Sequence, residues 1–186
     1  MTRLDRIDPF GDDGHVRAVI ETPQGSRHKL KYEPTDQGFA IAATMPAGMS
    51  FPFDFGFFPR TKADDGDPLD VLVLMDGPAY PGTIVEARLL GVIEADQTEQ
   101  DGTAVRNDRL VAVARGSTER GDLRSLKDVD PGLVSQLESF FETYNRFDGK
   151  GFRPRKVHGP IRARHLLDAA LLRRPKRIRR SSSTRP

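Results

Sequence analysis

Alternating apolar and polar residues along the first two thirds of the chain predict β-strands. Period-two or short apolar runs rich in β-branched residues cover 15–21, 28–33, 38–44, 70–75, 83–95 and 109–114. Turns that contain Gly or Pro separate these runs, and Pro81-Gly82 is the plainest of them.

Helical periodicity occurs only in the last third of the chain. Between Asp130-Pro131 and Gly149, apolar residues recur at three- and four-residue spacing: Leu133, Val134, Leu137, Phe140, Phe141 and Tyr144. A second helix is predicted from Pro160, with an apolar face formed by Ile161, Ala163, Leu166, Leu167, Ala170 and Leu171. Because strands precede helices without β-α-β alternation, we expect an α+β fold that is mainly β. The predicted form is a small antiparallel, OB-like β-barrel flanked by two C-terminal α-helices.

Length and composition fit one domain over residues 1–172. The chain has 186 residues, and its 37% apolar content is enough to form a core. No run approaches the roughly 18 to 20 apolar residues that span a bilayer, and residues 1–13 do not resemble a signal peptide. A cytoplasmic protein without membrane association is therefore expected. The absence of cysteine excludes disulfides, a thiolate nucleophile and cysteine-bound metal centres, and no histidine pair has zinc-ligand spacing, so metals that prefer oxygen ligands remain.

Charge divides the chain into an acidic body and a basic tail. Residues 173–186 hold seven Lys or Arg and no acid, so a whole-chain net charge of +2 leaves −5 on the body. With one large apolar residue, Ile178, the tail is expected to be disordered and without effect on catalysis. The alternative interpretation is a weak, salt-sensitive attraction to nucleic acid or anionic lipid.

Four carboxylates lie within seven residues in the segment Asp64-Asp65-Gly66-Asp67-Pro68-Leu69-Asp70. Their mutual repulsion is costly beside a buried strand unless a cation neutralises it. Gly66 permits a sharp turn and Pro68 fixes the chain direction, so the aspartates can converge on one volume. Carboxylate oxygens suit Mg²⁺, which binds through a few carboxylates together with substrate phosphates.

Other interpretations of this loop were weighed against the same residues. A solvated acidic turn is the plain alternative. A calcium EF-hand loop that starts at Asp65 requires Gly at position 70 and Glu at position 76, where this chain has Asp70 and Asp76. An aspartyl-phosphate nucleophile requires a hydrophobic strand before the first Asp, and 59–63 is not one. No GxxxxGK[ST] phosphate loop occurs in the sequence.

The stretch DGDPLDVLVL closely resembles the signature of the soluble family I inorganic pyrophosphatases. Further segments follow the order found in that family: VIE-x-P, KYE, FPFDFGFFP, Pro-Gly before a long strand, the pair GVIEAD and RLVAVA, and FFETY on a helix. The resemblance covers about residues 15 to 160. It implies a cytoplasmic magnesium-dependent hydrolase that converts pyrophosphate to two phosphates. It also implies self-association into a trimer or hexamer.

Carried over position by position, the resemblance implies a magnesium site formed by Asp65, Asp67, Asp70, Asn107 and Asp101. Asp67 would activate the attacking water, and Glu21 and Glu33 would support metal and water. The substrate-binding residues would be Lys31, Tyr144 and Arg109. Bound magnesium would neutralise phosphate charge and lower the pKa of water. Without the resemblance, Lys31 and Glu33 also fit a solvated strand face, Tyr144 fits core packing, and Asp54 fits a turn.

Several positions depart from the family pattern. Ala43 stands where the family has a phosphate-binding Arg, Phe55 where it has Tyr, and Asn145 where it has Lys. Where the family has Asp-x-Lys, this chain has Asn107-Asp108-Arg109. The side-chain oxygen of Asn107 can still ligate Mg²⁺. A shift of the alignment by one residue would instead make Asp108 the ligand, and strand alternation would turn it to the opposite face. The other metal aspartate is ambiguous between Asp96 and Asp101. Cations that could compensate are Lys62, Arg60, Arg106, Lys150 and Arg153.

Two functional hypotheses therefore remain open at the sequence level. The first is hydrolysis of inorganic pyrophosphate, or of a different phosphoanhydride. The second is a pyrophosphatase-like protein that binds metal or phosphate and is catalytically weakened or inactive, with the basic tail recruiting a polyanionic partner.

Overall fold

The computed structural model describes residues 3–171, so the basic tail 173–186 lies outside the described residues. Short 3-10 turns at Leu4–Arg6 and Asp12–Gly14 precede the first strand. The strands are β1 Val16–Thr22, β2 His28–Glu33, β3 Gly38–Thr44, β4 Asp54–Phe57, β5 Asp70–Leu74, β6 Ile84–Thr98, β7 Ala104–Arg106, β8 Arg109–Ala114 and β9 Gly151–His158. The helices are α1 Pro131–Phe147 and α2 Pro160–Ala170, each with Pro at the first position.

The main sheet forms a barrel-like ring. Its strands follow the order β1-β4-β5-β8-β6, and an additional β1–β6 pairing returns to the first strand. The long strand β6 also pairs with β7 and β9, while β2 and β3 form a separate hairpin. These pairs are antiparallel except β5–β8, which is parallel. The predicted α+β, mainly β fold with two C-terminal helices is confirmed.

Apolar side chains fill both faces of β5. Leu72 and Leu74 belong to the cluster that packs against α1, whereas Val71 and Val73 belong to the cluster that packs against α2. Burial on both faces explains why this strand is a continuous apolar run rather than an alternating one. Among the residues that the structure describes, neither helix is long and apolar enough to cross a membrane.

Some elements differ from those expected from the sequence. Strands β4, β7 and β9 were not predicted: β7 has three residues, and β9, with the sequence GFRPRKVH, contains Pro154 and mostly exposed polar side chains. Strand β6 continues to Thr98, past the predicted end at residue 95. Ile161 was expected on the buried face of α2. It is instead 74% exposed, and the buried residues of that helix are Ala163 and Leu167.

Candidate active site

One cavity of about 460 Å³ lies at the rim of the ring, between the hairpin β2–β3, the acidic loop and α1. The site residues predicted from the sequence that line it are Glu21, Lys31, Glu33, Asp65, Asp67, Asp70, Asn107, Arg109 and Tyr144. Asp101 is absent from this lining. The fold therefore brings residues from both halves of the sequence to a single concave surface.

The acidic loop turns at Gly66, which has a φ of 90° that favours glycine. The backbone N–H of Asp67 donates to Oδ1 of Asp65 at 3.1 Å, and the N–H of Ala63 donates to the carbonyl of Asp67 at 2.8 Å. Asp65 is exposed as a residue, but partial burial of its carboxyl raises its pKa, and the charges of Asp70 and Asp67 raise it further. The negative charges that raise the pKa of Asp65 favour an added cation at this loop.

Asp67 is paired with Lys31. The Nζ of Lys31 donates to both carboxylate oxygens of Asp67 at 2.9 Å, and both side chains are partly exposed. Because the lysine stem is flexible and its head reaches solvent, this ion pair is weak and readily exchanged for another partner.

Asp70 is paired with Arg109 in a more rigid arrangement. The guanidinium of Arg109 donates through Nη1 to Oδ2 of Asp70 and to the side-chain oxygen of Asn107. It also lies over the rings of Phe141 and Phe152, at 5.0 and 5.5 Å from the ring centroids. Arg109 is only 3% exposed, so packing and hydrogen bonds fix its position at the cavity floor.

Glu21 is a buried carboxyl on β1. Its Oε1 accepts the backbone N–H of Tyr32 at 2.7 Å. Burial, together with the negative charge of Asp70, raises the pKa of Glu21 to about 7, while the Tyr32 N–H opposes the shift. A carboxyl with this pKa exchanges a proton near neutral pH.

Aromatic side chains from α1 and β4 also line the cavity. Tyr144 of α1 is 8% exposed, and Phe55 lies beside it on β4. Lys29 Nζ lies 5.3 Å from the Tyr144 ring centroid and 5.7 Å from that of Phe55. Asn145, also in the lining, uses its side-chain N–H to donate to the carbonyl of Phe141 at 2.8 Å, so it faces inward along its own helix.

A chain of polar side chains crosses the cavity from Asn107. Its Nδ2 donates to Oε1 of Gln97 at 2.9 Å, and Lys150 Nζ lies 2.8 Å from Oε2 of Glu99. Sequence reasoning did not assign Lys29, Gln97 or Glu99 to the site. Extending the alternation of β6 beyond residue 95 would have placed Gln97 and Glu99 on one face, two residues apart.

Other acidic residues considered for the metal site point elsewhere. Asp101 is exposed in the β6–β7 turn, where its Oδ1 accepts the backbone N–H of Thr103 at 2.8 Å, and this hydrogen bond lowers its pKa. Asp96 pairs with Arg155 at 3.1 Å. Asp108 lies on the face opposite Asn107 and accepts from the N–H of Ala95 at 3.0 Å.

The remaining sequence candidates lie outside the cavity with one exception. Of the compensating cations, Lys150 lines it, while Lys62, Arg60, Arg106 and Arg153 do not. Asp54 is fully buried, and its Oδ1 accepts the N–H of Ala79 at 2.9 Å. That hydrogen bond anchors the loop after β5, so Asp54 has a structural position away from the cavity.

The donor set suits a divalent cation that prefers oxygen ligands. Asp65, Asp67, Asp70 and the amide oxygen of Asn107 line the same cavity. Within residues 3–171, no three carboxylate or histidine side chains converge on one point as a preformed metal cage. Two of the carboxylates are instead paired with Lys31 and Arg109.

The fold of this chain is shared with solved inorganic pyrophosphatases. The structure is similar to the inorganic pyrophosphatase from Thermus thermophilus, with a TM-score of 0.83, 28% identity, and coverage of 91% of this chain and 97% of the other. The structure of an inorganic pyrophosphatase from Neisseria gonorrhoeae gives a TM-score of 0.81 at 26% identity, covering 91% and 97% of the two chains.

Sequence comparison agrees with the structural comparison. The inorganic pyrophosphatase from Thermus thermophilus is 35% identical over 153 residues, which cover 81% of this chain and 85% of the relative. That from a Nostoc species is 33% identical over 147 residues, covering 79% and 84%. The family model described as inorganic pyrophosphatase matches residues 18–174. The chain belongs to the inorganic pyrophosphatase family.

Proposed function

We propose that this protein hydrolyses inorganic pyrophosphate to two phosphates with the aid of Mg²⁺. The observation that carries the proposal is the convergence of Asp65, Asp67 and Asp70 with Lys31 and Arg109 on one cavity. Pyrophosphate carries several negative charges, so its hydrolysis requires positive charge around the phosphates and a carboxylate beside the attacking water. The names of the relatives, inorganic pyrophosphatase, support the same substrate.

Asp65, Asp67, Asp70 and Asn107 are the residues that would hold magnesium, because their oxygens suit a hard cation. When bound, Mg²⁺ supplies positive charge to the phosphates and lowers the pKa of water. Asp101 has no geometric support as a further ligand, since its carboxylate belongs to the exposed β6–β7 turn.

The reaction proposed for this site is an in-line displacement by water. The water oxygen forms a bond to one phosphorus, the bridging P–O bond breaks, and the bridging oxygen leaves with the second phosphate. Asp67 accepts the proton of the water, while Lys31 exchanges its carboxylate partner for a phosphate oxygen. Arg109 stays beside Asp70 and Asn107, and the hydroxyl of Tyr144 donates to the phosphate at the other end of the substrate. Glu21 and Glu33 orient the water from the β1 and β2 side.

A second candidate function is a catalytically weakened or inactive pyrophosphatase-like protein that binds metal or phosphate, or a hydrolase of another phosphoanhydride. The specific observation in its favour is that the Arg109 guanidinium already donates hydrogen bonds to the side-chain oxygens of Asp70 and Asn107. A neutral amide pair, Asn107 and Gln97, also lines the cavity in place of further negative charge. Both features reduce the negative charge that would attract metal ions.

Phosphate release from pyrophosphate decides between the two candidates. We expect the purified protein to release phosphate in the presence of Mg²⁺, and Asp67→Asn to lower kcat by a factor of about 100 or more. The substitution keeps the side-chain shape and removes the proton acceptor, so circular dichroism and Tm should change little. Asp122→Asn, at an exposed position outside the cavity, is the matched control.

One result would contradict hydrolysis, and another would contradict the role of Asp67 in it. The first is no phosphate release by the unmodified protein with Mg²⁺, Mn²⁺ or Zn²⁺. The second is a kcat for Asp67→Asn equal to that of the Asp122→Asn control. If calorimetry then detects metal-dependent pyrophosphate binding without turnover, the binding function is supported instead.

The proposal extends to the state of the protein in the cell. Family likeness supports a cytoplasmic homo-oligomer, a trimer or hexamer, with nucleic acid only as a weak partner through residues 173–186. Sedimentation measures the oligomer. Filter binding with and without those residues measures the nucleic-acid contact, which deletion should weaken while leaving pyrophosphate hydrolysis unchanged.

A further inference from the structure

Cationic side chains in the cavity differ in whether a carboxylate already neutralises them. Lys31 is bound to both oxygens of Asp67 at 2.9 Å. Arg109 is bound to Asp70. Lys150 lies 2.8 Å from Glu99 and 3.8 Å from Asp148. These cations are committed to carboxylates of the protein, so a phosphate group must compete with those carboxylates to bind them.

Lys29 is the exception among the described residues that line the cavity. No carboxylate of the described chain lies within ion-pair distance of its ammonium group, although the charge of Lys29 acts on the buried Glu21 carboxyl and lowers its pKa. Its neighbours are the faces of Tyr144 and Phe55, at 5.3 and 5.7 Å. A cation over aromatic rings is positioned by their quadrupoles but keeps its full charge, and its N–H donors remain available to an anion.

The strand geometry places this ammonium group beside the proposed substrate. Lys29 and Lys31 are two residues apart on β2 and both line the cavity. Tyr144, on which Lys29 rests, is the proposed hydroxyl donor to the phosphate that lies away from the acidic loop. Directly across the ladder, Lys29 pairs with Ala43 of β3, whose side chain is small and uncharged.

We propose that Lys29 binds a phosphate group of the substrate beside Tyr144, two residues along β2 from the Lys31 that pairs with the acidic loop. This inference rests on the proposed function, because the phosphate belongs to pyrophosphate. Sequence reasoning did not identify Lys29, since one lysine among the polar residues of a half-exposed strand carries no distinctive pattern. The contact with Tyr144 and the absence of a carboxylate partner distinguish it from the other lysines of the cavity.

The test compares binding and turnover in Lys29→Met, which keeps the unbranched stem and removes the charge. Isothermal titration calorimetry with the non-hydrolysable analogue imidodiphosphate and Mg²⁺ measures Kd, and phosphate release measures kcat and KM. We expect Kd and KM to rise about tenfold or more, with a smaller change in kcat, because a charged hydrogen bond to both ground state and transition state is lost. Lys127→Met, at an exposed position before α1, is the matched control and should change neither value.

A second variant places a cation on β3, at the position that pairs with Lys29. Side chains at directly opposed positions have Cβ atoms about 5 Å apart, so Ala43→Arg in the Lys29→Met background returns a positive charge to the same region. We expect this double variant to recover most of the lost affinity. Tm measurements on each variant establish that the proteins compared are folded.

The outcomes separate this inference from the proposed function. Equal Kd values for Lys29→Met and Lys127→Met would overturn the role of Lys29, as would failure of Ala43→Arg to restore binding. If the unmodified protein binds imidodiphosphate but releases no phosphate, hydrolysis is contradicted while the Kd comparison still decides the role of Lys29. If the unmodified protein does not bind imidodiphosphate, the proposed role of Lys29 is overturned as well.

Discussion

At the scale of single residues, Glu21 shows how the site lowers the stability of the fold around it. A carboxyl with a folded-state pKa of about 7, above its ordinary value of 4.5, is destabilising when ionised. The folded protein binds the proton more tightly than the unfolded chain does. Stability is therefore lost as pH rises from about 4.5 through about 7, and the loss is complete above that range.

Glu21→Gln should be more stable than the unmodified protein at pH 8 and equally stable at pH 4. Gln keeps the oxygen that accepts the Tyr32 N–H and removes the buried charge, so we expect a gain on the order of 2 kcal/mol at pH 8. Urea unfolding with EDTA at both pH values measures the difference. A variant that is no more stable than the unmodified protein at pH 8 would show that the buried charge of Glu21 does not destabilise the fold.

Two of the ion pairs of the cavity, Lys31–Asp67 and Arg109–Asp70, differ in mobility. Lys31 reaches Asp67 through a flexible, partly exposed stem, whereas Arg109 is 3% exposed and held between Phe141 and Phe152. A substrate can draw Lys31 away from Asp67 at little cost, since exposed ion pairs contribute at most about 1 kcal/mol. Removing Arg109 from Asp70 would leave a buried charge unpaired, so this pair is a fixed part of the site.

At the scale of elements, the close approach of β1 and β4 is what positions Glu21 and Phe55 around one cavity. Ile20 of β1 pairs with Gly56 of β4. A Cβ at Gly56 would lie 1.9 Å from the carbonyl oxygen of Val19 and 2.9 Å from the Cα of Ile20. Both contacts are with backbone atoms, so only displacement of a strand could relieve them.

We therefore expect Gly56→Ala to destabilise the protein by about 3 kcal/mol or more, through loss of the β1–β4 pairing. Gly77→Ala is the matched control, because a Cβ there meets no atom within 4 Å and its φ is not positive. Thermal unfolding of both variants measures the difference. Similar Tm values for the two would contradict the tight approach of these strands.

Local patterns in the sequence predicted some elements and not others. β5 and α1 were predicted because long apolar runs and a Pro-initiated period of 3.6 are local signals. Strand β4 lies in an aromatic segment bounded by Pro52 and Pro59, and β9 contains Pro154, so neither carries a strand pattern of its own. These strands are determined by pairing with strands distant in sequence, β4 with β1 and β9 with β6.

The same limit applies to the candidate site. The acidic loop is a local motif, and the sequence predicted that its carboxylates converge on one volume; the structure places three of them, Asp65, Asp67 and Asp70, in one cavity lining. The contact of Lys29 with Tyr144 joins residues far apart in sequence, and the Gln97–Asn107 hydrogen bond joins residues on either side of the β6–β7 turn. No local pattern reports such contacts, and their partners can be named only once the ring of strands is known.

At the scale of the whole molecule, the cavity joins elements that are separate in the sequence. Its lining comes from β1, β2, the acidic loop, β5, β8 and α1. A ligand that contacts several of them binds the folded chain and has no comparable site in the unfolded chain. Binding should therefore stabilise the complete fold rather than one segment.

We expect Mg²⁺ together with imidodiphosphate to raise Tm by about 5 to 10 °C when the analogue is present at about 100 times its Kd. Such an excess stabilises the folded state by about 2.7 kcal/mol, and a chain of this size gains about 2 to 4 °C for each kcal/mol. Differential scanning calorimetry measures the shift, which should be smaller in Asp67→Asn and unchanged in Asp122→Asn. Mg²⁺ alone should give a smaller shift, because Asp67 is then still paired with Lys31 and no phosphate is present to bind that lysine. An unmodified protein whose Tm does not respond to the combined ligands would show that the cavity does not bind pyrophosphate-like molecules.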